Sequence, residues 1–262
     1  MNGITNGQTT VSGPKEVNGM FDLTGKTAVI TGSSQGIGFA LAKAFYDLGA
    51  LVYVHGSKNI EKATKAAKEI GENAIPVVAD LSEKDGAQKL YAQTGDADIL
   101  VLNASVQYRK PWNEITDEEM ETQLQVNFKS SLKAIQLYAP YMQKNGWGRI
   151  VTVGSVQQYK PHKDMAVYAA TKAAQMNLVT NLAKQLAPFG ITVNNLAPGV
   201  IATPRNDAAL ADKEYAKKVL EGIPAGFAGK AEDCIGAAVL LCSDEGRYIT
   251  GIDLIVDGGM KL

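Results

Sequence analysis

Short apolar runs alternate along the chain with longer segments in which apolar residues return every three or four positions. The runs Thr27–Ile30, Leu51–His55, Ala74–Ala79, Asp98–Leu102, Arg149–Val153, Ile191–Leu196 and Ile252–Val256 read as strands, most of them buried on both faces. Helices are expected between them: from the turn at Gly36–Gly38 to about Leu48, from Lys58 to Ile70, from Ser82 onward, from Thr116 to Lys144, from Ala166 to Ala187 and from Ala231 to Leu241. Thr116-x-x-Glu119 has the form of a capping box. Strands alternating with helices at this pace predict an α/β fold built on one doubly wound parallel sheet. In such sheets ligands bind beyond the carboxyl ends of the strands. No repeat or linker interrupts the pattern, so residues 21–262 are expected to form one domain. It loosens only near 204–229, which suggests a small lid. Residues 1–20 show no periodicity and are expected to be a flexible tail.

Composition narrows the function. With 26 basic and 27 acidic residues among 262, the net charge is −1, which argues against nucleic acid as a partner. No run approaches the roughly 18 apolar residues of a membrane span, and Met1–Met20 lacks the apolar core of a secretion signal. Cys234 and Cys242 stand eight apart in an apolar helical stretch, a spacing for two core residues on one helix face and not for a disulfide. A reduced, cytoplasmic setting fits best. His55 and His162 are the only histidines, and no metal-ligand constellation is visible.

Candidate chemistry falls at the strand ends. After the first strand comes Thr31-Gly32-Ser33-Ser34-Gln35-Gly36-Ile37-Gly38. Strand, glycine turn and helix form the context of a phosphate loop. Gly32 permits the tight turn, Gly36 lets backbone approach a pyrophosphate, and Gly38 lets helix and sheet pack closely. The helix N-terminus offers free N–H groups and a favourable dipole. After the second strand stand Ser57 and Lys58 and no acid, which favours the 2′-phosphate of NADP over NAD. Asp80 ends the third strand, where it would accept from an adenine amino group or cap the helix expected at Ser82. Asn103-Ala104-Ser105 ends the fourth and Ser155 follows the fifth. Asn127 lies among apolar neighbours inside a helix, an unfavourable place for it. Tyr168 and Lys172 are four apart on the expected long helix, hence on one face. An ammonium beside a phenol favours the phenolate, and such a phenol can give or take a proton at a carbonyl or alcohol oxygen.

Taken together these stretches resemble the short-chain dehydrogenase/reductases, from about Phe21 to Leu262. The matching stretches are T-G-x-x-x-G-x-G at Thr31–Gly38, Asp80, N-A-x at Asn103, Asn127, Ser155, Y-x-x-x-K at Tyr168 and Lys172, and P-G-x-x-x-T at Pro198–Thr203. The resemblance implies a single Rossmann-type domain that moves a hydride between NAD(P) and a secondary alcohol or ketone. It implies that Tyr168 is the general acid/base and that Lys172 holds the nicotinamide ribose. Ser155 would bond the substrate oxygen, and Asn127 would support a water relay. Ser34, Gln35, Ile37, Leu81, Asn103, Ala104, Pro198, Gly199, Ile201 and Thr203 would complete the cofactor site. A homotetramer or homodimer is also implied. Two departures stand out: Ser105 replaces the family's usual glycine, and Gln35 stands where NADP-preferring relatives often carry a basic residue.

The expected substrate walls carry Ser105, Gln107, Tyr108, Arg109, Gln157, Gln158, Tyr159 and His162, a polar set with a cation. Arg109 suits a carboxylate. The opening Phe21-Asp22-Leu23-Thr24-Gly25-Lys26 resembles the gluconate 5-dehydrogenase-like branch. A sugar, polyol or sugar-acid substrate is therefore expected. A 3-oxoacyl-thioester reductase is the alternative, and a non-catalytic NADP-binding regulator a remote one.

Overall fold

The computed structural model describes residues 19–262, apart from the side chains of Ala208 and Ala209. The tail expected over 1–20 therefore lies, save for Gly19 and Met20, outside the described residues. Strand β1 (Thr27–Ile30) leads into α1 (Gly36–Asp47), then β2 (Leu51–Gly56), α2 (Ile60–Ile70), β3 (Ala74–Val78), α3 (Gly86–Thr94) and β4 (Ile99–Leu102). There follow α4 (Asp117–Leu124), a π-helical turn (Gln125–Lys129), α5 (Ser130–Asn145), β5 (Gly148–Val153), α6 (Ala166–Leu186) and β6 (Ile191–Pro198). The last part holds β7 (Ile201–Ala202), α7 (Asp207–Ala211), α8 (Lys213–Glu221), β8 (Gly229–Lys230), α9 (Ile235–Cys242) and β9 (Asp253–Val256).

Seven strands make one parallel sheet in the order β3-β2-β1-β4-β5-β6-β9. The chain order reverses between β1 and β4, where Ile30 pairs with Val101. That reversal opens a crevice at the strands' carboxyl ends. Every residue of β4, β5 and β6 is buried, because helices cover both faces and the strands cannot alternate apolar with polar. On one face Leu41 and Phe45 of α1, Ala66 and Ile70 of α2, and Ala238 and Leu241 of α9 pack on the sheet. On the other, Leu90 of α3, Ile135, Tyr138 and Met142 of α5, and Val179 and Ala183 of α6 do so.

Three expectations are corrected. The helix expected at Ser82 begins at Gly86, because the Asp80 carboxylate binds the Ser82 N–H and hydroxyl in a local turn instead of capping a helix. The second helix starts at Ile60 and not Lys58, since the Asn59 side chain caps it through the Lys62 N–H. The helix expected over Thr116–Lys144 does carry its capping box, but widens into a π turn at Gln125–Lys129. The segment near 204–229 forms α7 and α8, bounded by the small parallel pair β7 and β8. Cys234 and Cys242 are fully buried, and burial pushes both thiols up to about 12.

Candidate active site

The glycine turn after β1 is held by its neighbours. Gly32 and Gly36 adopt left-handed backbone at φ 66° and 59°, where a side chain is strained. The Gly32 N–H donates to His55 Nδ1 at 2.9 Å, and His55 Nε2 lies 2.8 Å from the Ala79 carbonyl. Since Nδ1 accepts, the proton sits on Nε2 and donates to Ala79. The Ser33 hydroxyl donates to the Ile30 carbonyl and accepts from the His55 N–H. From β4, Asn103 Nδ2 donates to the carbonyls of Thr31 and Gly32 at 2.9 and 3.1 Å. Gln35 ends the turn and gives α1 no side-chain cap, so the helix's first N–H groups remain for an anion.

His55 is buried, and burial outweighs its bond to Ala79 and the charge of Asp80, so its pKa lies below 6.5. The unfolded chain then binds more protons than the folded one below about pH 6.5, and stability present above that pH is lost as it falls. The melting temperature is expected to drop on acidification through this window. In His55→Asn, which keeps an acceptor and a donor but cannot titrate, the drop should be shallower. Equal slopes by differential scanning fluorimetry would contradict the role given to His55.

A cavity of about 740 Å³ runs from this turn across the ends of the strands. Ser34, Gln35, Gly36 and Ile37 line its middle, with Gly38 packed beneath against Asn103. One end holds Ser57, Lys58, Asp80 and Leu81. Lys58 pairs with Asp80 at 3.0 Å. Partial burial works against the charge of Asp80, but bonds from Ser82 and the Lys58 ammonium outweigh it and hold the carboxyl below its ordinary range. Lys62 also faces this end and donates to Gln35 Oε1. An ammonium from α2 thus stands beside Gln35.

The other end is built by β5 and α6. Ser155 follows β5 and is 8% exposed; its Oγ accepts from the Gln157 N–H at 3.2 Å, leaving its O–H to donate elsewhere. Tyr168 and Lys172 lie on the buried face of α6. The Lys172 ammonium stands 5.7 Å from the centre of the Tyr168 ring and donates to the Val153 carbonyl at 2.7 Å and Gln175 Oε1 at 3.0 Å. Burial, and then the charge of Arg205, brings Lys172 down to about 7. Gln175 in turn donates to Ser131, and Ser131 to the Asn127 carbonyl. The Asn127 side chain is fully engaged: Oδ1 accepts from the Val106 N–H, and Nδ2 donates to Val106 O and Thr171 Oγ1. The π turn therefore sits where α5, α6 and the segment after β4 meet.

Pro198, Gly199, Ile201 and Thr203 line the cavity after β6, and Ala104, Ser105, Arg109, Gln157 and His162 line it opposite. Gln158 and Tyr159 do not; both donate to the Asp253 carboxylate, which also takes Asn195 Nδ2 at 2.7 Å. These bonds tie β6, β9 and the loop after β5 together. His162 Nδ1 accepts from the Asp164 N–H at 3.2 Å, so its proton faces Arg109 at 3.5 Å and the two are in contact without a useful hydrogen bond. Burial and then the Arg109 charge lower the His162 pKa. Sequence reasoning missed Lys62, Met165, Arg205 and Tyr215, all of which line the cavity; only the folded chain brings them there. Among the described residues no helix is long and apolar enough to cross a membrane, and no group of His, Cys, Asp and Glu side chains is placed to hold a metal ion.

A family model described as Enoyl-(Acyl carrier protein) reductase matches residues 32–261. Gluconate 5-dehydrogenase of Gluconobacter oxydans is 33% identical over 93% of this chain and 97% of its own. The 3-oxoacyl-[acyl-carrier-protein] reductase of Rickettsia conorii is 34% identical over 93% of this chain and all of its own. The crystal structure of a gluconate 5-dehydrogenase from Burkholderia cenocepacia in complex with NADP and tartrate superposes with a TM-score of 0.85, at 33% identity over 92% of this chain and 96% of that one. The chain belongs to the short-chain dehydrogenase/reductase family of oxidoreductases.

Proposed function

We propose that the chain interconverts a secondary alcohol and a ketone on a polar sugar, polyol or sugar-acid substrate, with NADP as the preferred hydride carrier and NAD as the lesser one. The observation that carries this reading is one continuous cavity with Lys58 and Lys62 at one end and Ser155 and Tyr168 at the other. The residues fit the carrier. The uncapped start of α1 and the positive-φ Gly36 suit a diphosphate, and two ammonium groups beside Ser57 suit a 2′-phosphate. The nicotinamide, when bound, gives or takes the hydride.

The protein supplies the rest. Ser155 donates its free O–H to the substrate oxygen, where charge develops in the transition state. Tyr168 takes the alcohol proton in oxidation and returns it to the carbonyl oxygen in reduction. Lys172 stands one turn along at the base of this pair, oriented by Val153 and Gln175. Gln157 lines the cavity, and its buried Oε1 has no donor among the described residues, so an acceptor stands ready for a substrate hydroxyl. Gln107, Arg109 and Gln157 on the wall support a sugar acid, while Met165, Leu210, Val219 and Met260 line the same cavity and suit the apolar chain of the alternative. The 3-oxoacyl-thioester reductase reading remains the second one, supported by the relative from Rickettsia conorii.

A nicotinamide absorbance screen with both carriers over sugars, sugar acids, diketones and acetoacetyl thioesters tests the reading. Turnover of sugar acids is expected; turnover of thioesters alone would favour the alternative. In Lys58→Ala/Lys62→Ala, NADPH affinity is expected to fall about tenfold or more while NADH affinity holds, since each charge-assisted bond is worth about 1.5–3 kcal/mol. Parallel losses for both carriers in fluorescence titrations would remove these lysines from the 2′-phosphate. A cytoplasmic oligomer belongs to the same reading, supported by the buried free thiols and by exposed Phe189 and Ile252.

A further inference from the structure

Two lips face each other across the Tyr168 end of the cavity: the segment after β4, and the lid that carries α7 and α8. They are joined by two contacts that run in opposite directions. From the lid, Arg205 donates to the Ser105 hydroxyl at 2.8 Å and the Ser105 carbonyl at 2.7 Å. From the other lip, Arg109 donates to the Tyr215 hydroxyl of α8 at 2.9 Å, its guanidinium 5.3 Å from the centre of that ring. All three acceptors are neutral, and neither arginine has a carboxylate partner among the described residues. Asp80 is the single acid among the described residues lining the cavity, and it lies at the far end, engaged by Lys58 and Ser82. The Tyr168 end therefore holds two guanidiniums above a buried lysine with no fixed anion facing them.

A guanidinium bound to a hydroxyl and a carbonyl gains by exchanging them for a carboxylate, because charge-assisted bidentate pairs are roughly twice as strong as neutral ones. We propose that Arg205 and Arg109 form an anion clamp. A carboxylate on the substrate draws both guanidiniums from their neutral acceptors and is held between lid and loop, so the site selects an acid over the matching neutral polyol. This deepens the sugar-acid reading above and rests on it. It adds Arg205, whose contact with Ser105 is otherwise only a strut across the mouth.

Binding to the NADPH-loaded protein tests the clamp without turnover, since the reduced carrier cannot oxidise an alcohol. The probes are D-gluconate and D-sorbitol, which keeps the hydroxyls and lacks the carboxylate, titrated by calorimetry at saturating NADPH. The wild-type chain is expected to bind gluconate the more tightly. Arg205→Met and Arg109→Met should each weaken gluconate about tenfold or more, the scale of one lost charge-assisted bond, and leave sorbitol unchanged. Arg205→Lys, which keeps the charge and loses the fork, should fall between. Wild-type binding with no preference for gluconate, gluconate binding indifferent to Arg205, or equal losses for both probes in Arg205→Met would overturn the clamp. Gluconate turnover is scored separately. Arg205-dependent binding without turnover keeps the clamp and removes the sugar-acid reaction, and turnover with Arg205-independent binding does the reverse.

Discussion

Tyr168→Phe is expected to lower turnover by about 10²–10⁴-fold, the usual worth of a positioned acid/base group, and to leave NADPH affinity nearly unchanged. The reasons are local. The side chain is buried on α6 and lines the cavity, and among the described residues no group hydrogen-bonds its hydroxyl. Removing the oxygen therefore leaves no protein donor or acceptor unpaired, and the melting temperature should hold. What is lost is the atom proposed to exchange a proton with the substrate oxygen. Ser155 still polarises that oxygen through its O–H but cannot replace the transfer, since an aliphatic hydroxyl is a far weaker acid than a phenol. Single-turnover kinetics with NADPH bound would separate this loss from weaker binding. A variant that turns over like the wild type removes Tyr168 from the mechanism.

Gly38→Ala should damage the fold and the carrier site together. A Cβ there would stand 2.5 Å from Asn103 Nδ2, 2.6 Å from the Gly32 carbonyl and 2.9 Å from Ser33 Cα. Two of these three are backbone atoms of the glycine turn, so relief requires moving the turn or the start of α1. Overpacking of this kind costs about 1–3 kcal/mol and at times more, and here the displaced groups are those expected to meet the diphosphate. A lower melting temperature and a large loss of NADPH affinity are expected in the same variant. Gly36→Ala is the contrast. Its Cβ would meet only the Thr203 side chain, at 3.5 Å, leaving the strain of a left-handed alanine, about 1–2 kcal/mol. Wild-type melting and wild-type NADPH binding in Gly38→Ala would place the turn elsewhere.

The strands were legible because a parallel sheet covered on both faces needs unbroken apolar runs, and β4, β5 and β6 have them. The pairing of Tyr168 with Lys172 was legible because four residues on a helix make one face, as these two do on α6. The start of α3 was not: Asp80 and Ser82 look like a helix cap, and only the folded chain shows the Asp80 carboxylate closing a local turn. Arg205 was equally hidden, since its partner Ser105 lies 100 residues away and nothing near either residue announces the contact. Lys62 reads as one more charge on an exposed helix until α2 docks and turns it toward Gln35. The pattern near 204–229 looked loose because α7 and α8 are short, although Asp212 caps α8 through the N–H groups of Glu214 and Tyr215.

The π turn was the least visible element, since the sequence Gln125–Lys129 is compatible with ordinary helix. Its cause is tertiary: the Asn127 amide is held by Val106 and Thr171. Each residue of an α-helix turns about 100° and rises about 1.5 Å, so the extra residue in this wide turn sets the phase between α4 and α5. The same residues wound as regular α-helix throughout would lose that phase. All of α4 would swing by more than a quarter revolution, carrying buried Gln123 off the Tyr108 N–H. At this place the spacing of the chain, more than the identity of any side chain, decides which way Asn127 faces.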